Sequence, residues 1–370
     1  MTGHPSPLPG GPLYRYGWND DLATALQLSL DSNPVPDARP ARIISQGRGV
    51  WRVVVDLGDS AETDGVEFWA KPIGRIGRDE DWPVTGDWVV ATVVGDRAVI
   101  HSVLPRRTAI LRKVAGVATV AQVIAANVDV VFISSSLDGD LNPRRLERYL
   151  ALVWESGAEP VLVLTKADSC DEAFLARALD EVEAIAFGAA VHVVSSATGQ
   201  GIEEIRRYFE PNRSVAILGS SGIGKSTLVN ALAGGEVMAT AELRSDGRGR
   251  HTTTHRELVL LPTGGLILDT PGMRELQLWS SDDGVAATFP DVEQVVAACR
   301  FSDCSHGSEP GCAVVKGLAD GSLDRLRYDS WTKLQSELAH LAQRQSARLA
   351  ADERRKWKRI TKEAKSRTRP

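Results

Sequence analysis

Long apolar runs are missing from these 370 residues: no stretch approaches the roughly 20 consecutive residues that a membrane span requires. The first residues, MTGHPSPLPGGPLYRYG, have neither a basic segment nor an apolar segment of the secretory kind. These two absences point to a cytoplasmic protein with no membrane partner. Cysteine is scarce. Three of the four cysteines, Cys299, Cys304 and Cys312, lie close together while Cys170 stands alone, and an odd cluster without a secretion signal argues for a metal rather than a disulfide framework. Net charge is also small, at −5, so the chain is not globally basic. The charge is nevertheless uneven: residues 344–370 hold eleven Lys/Arg against three Asp/Glu. Such a tail either meets phosphate or is a solvated helix face.

What is present divides into regions, since 370 residues exceed the usual span of one core. Residues 1–36, rich in Pro, Gly and short polar residues, read as a flexible N-terminal arm with one helical candidate at Leu22–Leu30. From 37 to 112, short β-rich runs separated by Gly- and Asp-containing turns predict a small β-barrel; they include Gly49–Asp56, Gly65–Ala70, Asp87–Val94 and Ala98–Val103. Residues 113–285 alternate strand and helix. Strands are predicted over 128–134, 160–164, 191–195, 214–218, 257–261 and 266–269, with helices over 144–155, 172–187, 201–209 and 225–233. That alternation means a mostly parallel sheet covered on both faces. Residues 286–340 carry the cysteine cluster, and 341–370 form a basic helical tail. The fold class is therefore multidomain: a barrel, a central α/β domain and a mostly helical C-terminal metal domain.

Gly219-Ser220-Ser221-Gly222-Ile223-Gly224-Lys225-Ser226 satisfies G-x-x-x-x-G-K-[ST], and it stands between a predicted strand and a predicted helix. A loop of this kind turns backbone N–H groups and a helix N-terminus toward phosphates. Lys225 then reaches the β- and γ-phosphates, Ser226 offers its hydroxyl to Mg²⁺, and Thr227 completes the nucleotide-binding stretch at the start of the helix. Downstream, Leu266-Ile-Leu-Asp269-Thr-Pro-Gly272 ends a strand with an acid placed to hold Mg²⁺, followed by a glycine N–H able to reach the γ-phosphate. The polar segment between them, Arg248–His255, supplies Thr253 as a third Mg²⁺ contact.

Discrimination between purines has to come from elsewhere. Thr165-Lys166-Ala167-Asp168 closes a buried strand and resembles the N/T-K-x-D motif, in which the carboxylate accepts from guanine N1 and N2 and the lysine stem covers the ring. Ser195 and Ser196, with Ala197 and Thr198, end the next strand and suit guanine O6. Thr165 stands where Asn is commoner, and its hydroxyl can make part of the brace that Asn makes to the phosphate loop. Both base-reading motifs precede the phosphate loop, so the order is circularly permuted. A Gln placed to orient water is missing, since Met273 follows Gly272 directly. His251 is the polar candidate for that role; its other reading is that it only orders the segment or touches RNA.

Cys299-x₄-Cys304-x-His306-x₅-Cys312 offers three thiolates and one imidazole, a closed tetrahedral set that suits one structural Zn²⁺. On the barrel, Arg39, Arg42, Arg48, Arg52, Lys71, Arg75 and Arg78 accompany Trp51, Phe68, Trp69, Trp82 and Trp88. This mixture suits RNA, although half of those aromatics belong by composition to a barrel core.

Permuted GTPase motifs between a β-barrel and a Cys₃His cluster resemble the RsgA (YjeQ) family over about residues 39 to 340. The resemblance implies an OB-fold, a central GTPase, a zinc domain, and a monomer acting in late maturation of the small (30S) ribosomal subunit on its rRNA. It also implies hydrolysis of GTP to GDP and phosphate, stimulated by that subunit. A non-catalytic rRNA-binding module using GTP as a structural ligand is the alternative, and a P-loop ATPase or kinase a third reading.

Overall fold

The computed structural model describes residues 11–47, 49–58, 65–74, 82–113, 121–237, 256–269, 282–307 and 309–343. Strands β1 (Arg39–Gln46), β2 (Trp51–Val55), β3 (Val66–Pro72), β4 (Trp88–Val94) and β5 (Arg97–Val103) close on one another in the order β1-β2-β3-β5-β4-β1. The β3–β5 pairing is parallel and the other four are antiparallel. Alternate residues point inward: Ala41 and Ile43 from β1, Trp51, Val53 and Val55 from β2, and Val89 and Ala91 from β4 share one interior cluster. Period-two patterning thus yields a closed five-stranded barrel, which leaves no free sheet edge.

The central sheet consists of β8 (Val130–Ser136), β9 (Glu159–Thr165), β10 (Ala190–Val193), β11 (Ser214–Leu218) and β13 (Leu266–Asp269), all parallel, with β12 (Arg256–Leu260) antiparallel beside β13. Their spatial order is β10-β9-β8-β11-β13-β12. Every residue of β8 and β11 is buried, as expected of strands covered on both sides. Val130, Phe132, Val215 and Ile217 face α5 (Ile202–Arg206) and α6 (Lys225–Ala233). Val131, Ile133, Ala216 and Leu218 face α3 (Pro143–Ser156) and α4 (Glu172–Glu183) on the other side. The α3 helix starts on an Asn142 cap and stops at Gly157, whose φ of 80° is left-handed.

Two further features join the domains. Strand β12 pairs with β1 of the barrel, Ser45 opposite Glu257, so one sheet of eleven strands runs from the GTPase-like core into the barrel. A hairpin of β6 (Ala109–Lys113) and β7 (Ala121–Ala126), absent from the sequence reading, links residues on both sides of the expected division at 112/113. After the central sheet come α7 (Asp282–Thr288), which packs on α3, then α8 (Pro290–Ala297), α9 (Ala313–Asp320) and a tenth helix whose described part covers 325–343.

The expectation of a flexible N-terminal arm is corrected for residues 12–36. Helices α1 (Pro12–Arg15) and α2 (Asp20–Ser32) are folded onto the body of the protein. Leu22, Leu26 and Leu30 recur every fourth residue, forming one buried stripe on α2, and Leu13 is fully buried. Asn19 caps α2 by accepting from the Leu22 N–H at 3.0 Å, and Trp18 meets Trp88 of β4 edge to face at 5.0 Å. Residues 1–10 and the basic tail 344–370 lie outside the described residues.

Candidate nucleotide site and metal cluster

Because β8, β9, β10, β11 and β13 are parallel, the loops that follow them emerge at the same edge of the sheet, which is where α/β proteins bind ligands. Each sequence-predicted nucleotide motif that can be placed lies on that edge. The phosphate loop leaves β11 at Gly219. A Cβ there would come within 2.4 Å of the Ser134 carbonyl oxygen and of Ile223 Cδ1, so only glycine fits. Gly222 and Gly224 hold left-handed φ values of 81° and 89°, and α6 begins at Lys225 directly after them. Lys225 Nζ donates to the carbonyls of Gly219 at 2.8 Å and Ser220 at 2.5 Å, folding the ammonium back over the loop. Ser226 and Thr227 occupy the first turn of α6, the helix end that carries partial positive charge.

The base loop lies beside it. The Thr165 hydroxyl, buried, donates to the Ile223 carbonyl at 2.8 Å, tying the end of β9 to the phosphate loop 58 residues later in the chain. Ala167 N–H bonds Val194 O at 3.2 Å, which joins the same loop to the end of β10. Ser195 is fully buried, and its hydroxyl donates to Asp168 Oδ1 at 2.5 Å. That bond holds the Asp168 carboxyl below the usual carboxylate range, so it stays an ionised acceptor near neutrality. Ser196 follows in the same turn, half-buried. Lys166 has a left-handed backbone, φ 60°, and its ammonium lies 2.7 Å from Asp138 Oδ2. Asp138 escaped the sequence reading because it matches no motif; the topology marks it, since β8 lies between β9 and β11 and its C-terminal loop must reach the same edge.

Asp269 closes β13 opposite Glu257, its side chain lying outside what the structure describes; His251, Thr253, Gly272 and Met273 also lie outside the described residues. The Cys170 thiol is pushed up by burial and by Asp171 and Asp168, in keeping with an inert cysteine.

Cys299, Cys304, His306 and Cys312 bring one donor atom each to within 4.8 Å of one another, a group that could hold a metal ion. His306 Nδ1 lies 3.6 Å from Cys299 Sγ and 3.7 Å from Cys312 Sγ, and the two sulfurs are 3.9 Å apart. Left-handed residues His306 and Gly311, φ 59° and 80°, turn the loop around this point.

The barrel divides its aromatics. Trp51 and Trp88 are core, whereas Trp69 is 58 % exposed and Trp82 36 %. Arg42 is corrected from a candidate RNA contact to a buried junction residue: it donates to the carbonyls of Tyr16 and Asn127 and to Ser214 Oγ, locking β1 against the start of β11. Arg48, Arg75 and Arg78 lie outside the described residues.

Comparisons with known proteins agree in direction. Residues 103–279 match the family model of the RsgA GTPase, and residues 214–345 match a model described as 50S ribosome-binding GTPase. A small ribosomal subunit biogenesis GTPase RsgA from Opitutus terrae is 43 % identical over 368 residues, covering 95 % of this chain and 97 % of that protein. One from Streptomyces avermitilis is 40 % identical over 369 residues, with 98 % and 96 % covered. RsgA 1 from Oceanobacillus iheyensis reaches 49 % over 290 residues, 77 % of this chain and 82 % of its own. Among solved structures, YjeQ from Thermotoga maritima superposes with a TM-score of 0.61 at 27 % identity, over 82 % of this chain and 99 % of that one. YloQ, a circularly permuted GTPase, gives 0.58 at 23 %, a likeness of fold, over 83 % and 97 %.

Proposed function

The chain belongs to the RsgA family of circularly permuted GTPases, and from that premise we propose that it hydrolyses GTP during late maturation of the small ribosomal subunit, with hydrolysis stimulated by that subunit. The observation that carries the nucleotide part is the Thr165–Ile223 hydrogen bond. It sets the base loop and the phosphate loop side by side although the chain visits them in reversed order.

In this reading Asp168 accepts from guanine N1 and N2, the Lys166 stem covers the ring, and the loop at Ser195 and Ser196 meets O6. Gly219 to Thr227 wrap the phosphates. Ser226, Thr253 and Asp269 hold Mg²⁺, and the Gly272 N–H reaches the γ-phosphate. His251 positions the attacking water in place of a Gln. Because no Gln follows Gly272 to orient the water, intrinsic turnover is slow and the subunit supplies the missing geometry.

The metal is Zn²⁺ in a structural role. Tetrahedral zinc with Zn–S of about 2.3 Å and Zn–N of about 2.0 Å has edges of about 3.8 Å between sulfurs and about 3.5 Å from sulfur to nitrogen. The separations among Cys299, His306 and Cys312, 3.6, 3.7 and 3.9 Å, come close to these edges, and all four donor atoms lie within 4.8 Å of one another. All four donors are protein side chains, so a Zn²⁺ held by them would keep no position for a reacting water. The exposed Trp69, cross-strand partner of Arg52 and two residues from Lys71 on β3, gives the barrel a surface for rRNA. The protein works as a monomer in the cytoplasm; among the described residues no helix is long and apolar enough to cross a membrane.

Single-turnover hydrolysis of GTP with and without purified small subunits tests this. Stimulation of at least tenfold is expected on the scale of partner-activated GTPases. Binding to subunits with no cleavage in either arm would instead establish a non-catalytic RNA-binding module.

A further inference from the structure

The loop between β8 and α3 has no place in the motifs above, yet it is knitted to the base loop. Leu137 N–H bonds the Thr165 carbonyl at 2.9 Å, which fixes the start of this loop to the last residue of β9. Ser135 Oγ donates to the Asp140 carbonyl at 3.0 Å, closing the turn. The loop carries two acids, and each has its own partners. Asp140 is paired with Arg145 of α3 at 2.7 Å. Asp138 accepts from the Ser136 hydroxyl on Oδ1 at 2.5 Å and meets the Lys166 ammonium on Oδ2 at 2.7 Å.

Lys166 is an unusual place to anchor a side chain. Its backbone is already determined: Thr165 before it is bound to Ile223, Ala167 after it is bound to Val194, and its own φ of 60° lies in a region that L-residues avoid. The four-carbon stem is then the only freedom left. Asp138 restrains it by holding the ammonium at the far end, so the stem is anchored at both ends.

We propose that Asp138 is a positioning residue for guanine nucleotides, holding the Lys166 ammonium so that the methylene stem forms a preset platform for one face of the base. This rests on the guanine-site reading of Thr165 to Asp168. Asp138 acts on the face of the ring, through Lys166, and reads no edge atom. It therefore contributes affinity common to any purine seated on that face, while Asp168 contributes the choice among them. Immobilising one long side chain in advance is worth about five- to tenfold in affinity.

The test is titration of the full-length protein with GDP and with inosine diphosphate, which lacks the 2-amino group. Asp138→Ala should weaken both by the same factor, about five- to tenfold, leaving their ratio as in the wild type. Asp138→Asn, which keeps an acceptor oxygen but no charge, should restore part of the loss. In a Lys166→Ala background, Asp138→Ala should have no further effect, because the group it positions is gone. A loss of equal size in that background would show a structural role for Asp138 and overturn the proposal. So would tighter binding by Asp138→Ala, which would mean that the carboxylate withholds Lys166 from the base. Asp168→Asn serves as the separate arm: if it leaves the GDP to inosine diphosphate ratio untouched, the guanine reading itself fails, whatever Asp138 does.

Discussion

Thr165 shows how a single departure from a motif is resolved by geometry. Sequence places a hydroxyl where an amide is commoner, and the structure gives that hydroxyl the Ile223 carbonyl as acceptor. Thr165→Val keeps shape and β-branching but leaves a buried carbonyl without its donor. Such a loss is worth about 1–3 kcal/mol, so nucleotide affinity should fall roughly tenfold or more, as read by fluorescence titration; unchanged affinity would mean the brace is incidental. Asp168→Asn replaces an acceptor pair with one acceptor and one donor. It should lose GTP and gain xanthosine triphosphate, whose N2 edge is a carbonyl, and competition between the two triphosphates measures the exchange. Gly219→Ala is expected to abolish binding of any nucleotide, since the new methyl would overlap the Ser134 carbonyl and the loop would have to move.

Secondary-structure elements differ in how plainly the sequence announced them. Buried parallel strands were legible because short β-branched apolar runs such as Val130 to Ile133 suit a strand covered on both faces, and the helix expected over 144–155 falls within α3. Helix α2 was expected over Leu22–Leu30, but in a flexible arm rather than docked, and the reason is physical. Pro- and Gly-rich flanks hid the fact that a barrel end waits to cover its Leu22, Leu26 and Leu30 face. Covering surfaces are tertiary facts that local composition does not contain. The same holds for the β6–β7 hairpin, whose strands are short and whose partner lies across an expected boundary. Since Leu26 is buried in the main core, Leu26→Ala should destabilise the protein by about 2–5 kcal/mol, the range for buried leucine truncation. A urea midpoint that does not move would show α2 to be dispensable to the fold.

At the scale of the molecule, the motif order predicted the permutation, but not the wiring between domains, because that depends on single side chains meeting across 180 residues. Arg327 of the tenth helix is the clearest example. Its guanidinium bonds Glu147 of α3 at 2.9 Å, Asp291 of α8 at 2.5 Å and the Thr288 carbonyl at 2.7 Å, and it packs on the faces of Phe187 and Phe289. Glu147 is 2 % exposed; burial pushes its carboxyl above the usual range, while Ser330 and Arg327 pull it back. The C-terminal helices are thus fastened to the helix that leads out of the β8–α3 loop. Breaking a buried pair on one side leaves a lone charge in the core, at about 3–5 kcal/mol. Arg327→Met should therefore destabilise the whole chain by that order, with the fully buried acid left to respond. Without the guanidinium, Glu147 is raised further in the folded state than in the unfolded state, so the folded form binds the proton more tightly. Stability of the variant must then rise as pH falls through the interval between those two values, and the gap to the wild type must narrow. Denaturant melts at pH 7 and pH 5 measure this directly. A gap that stays constant would mean that Glu147 finds water or another cation when Arg327 is removed, and that the ion pair does not hold the C-terminal helices to the GTPase core.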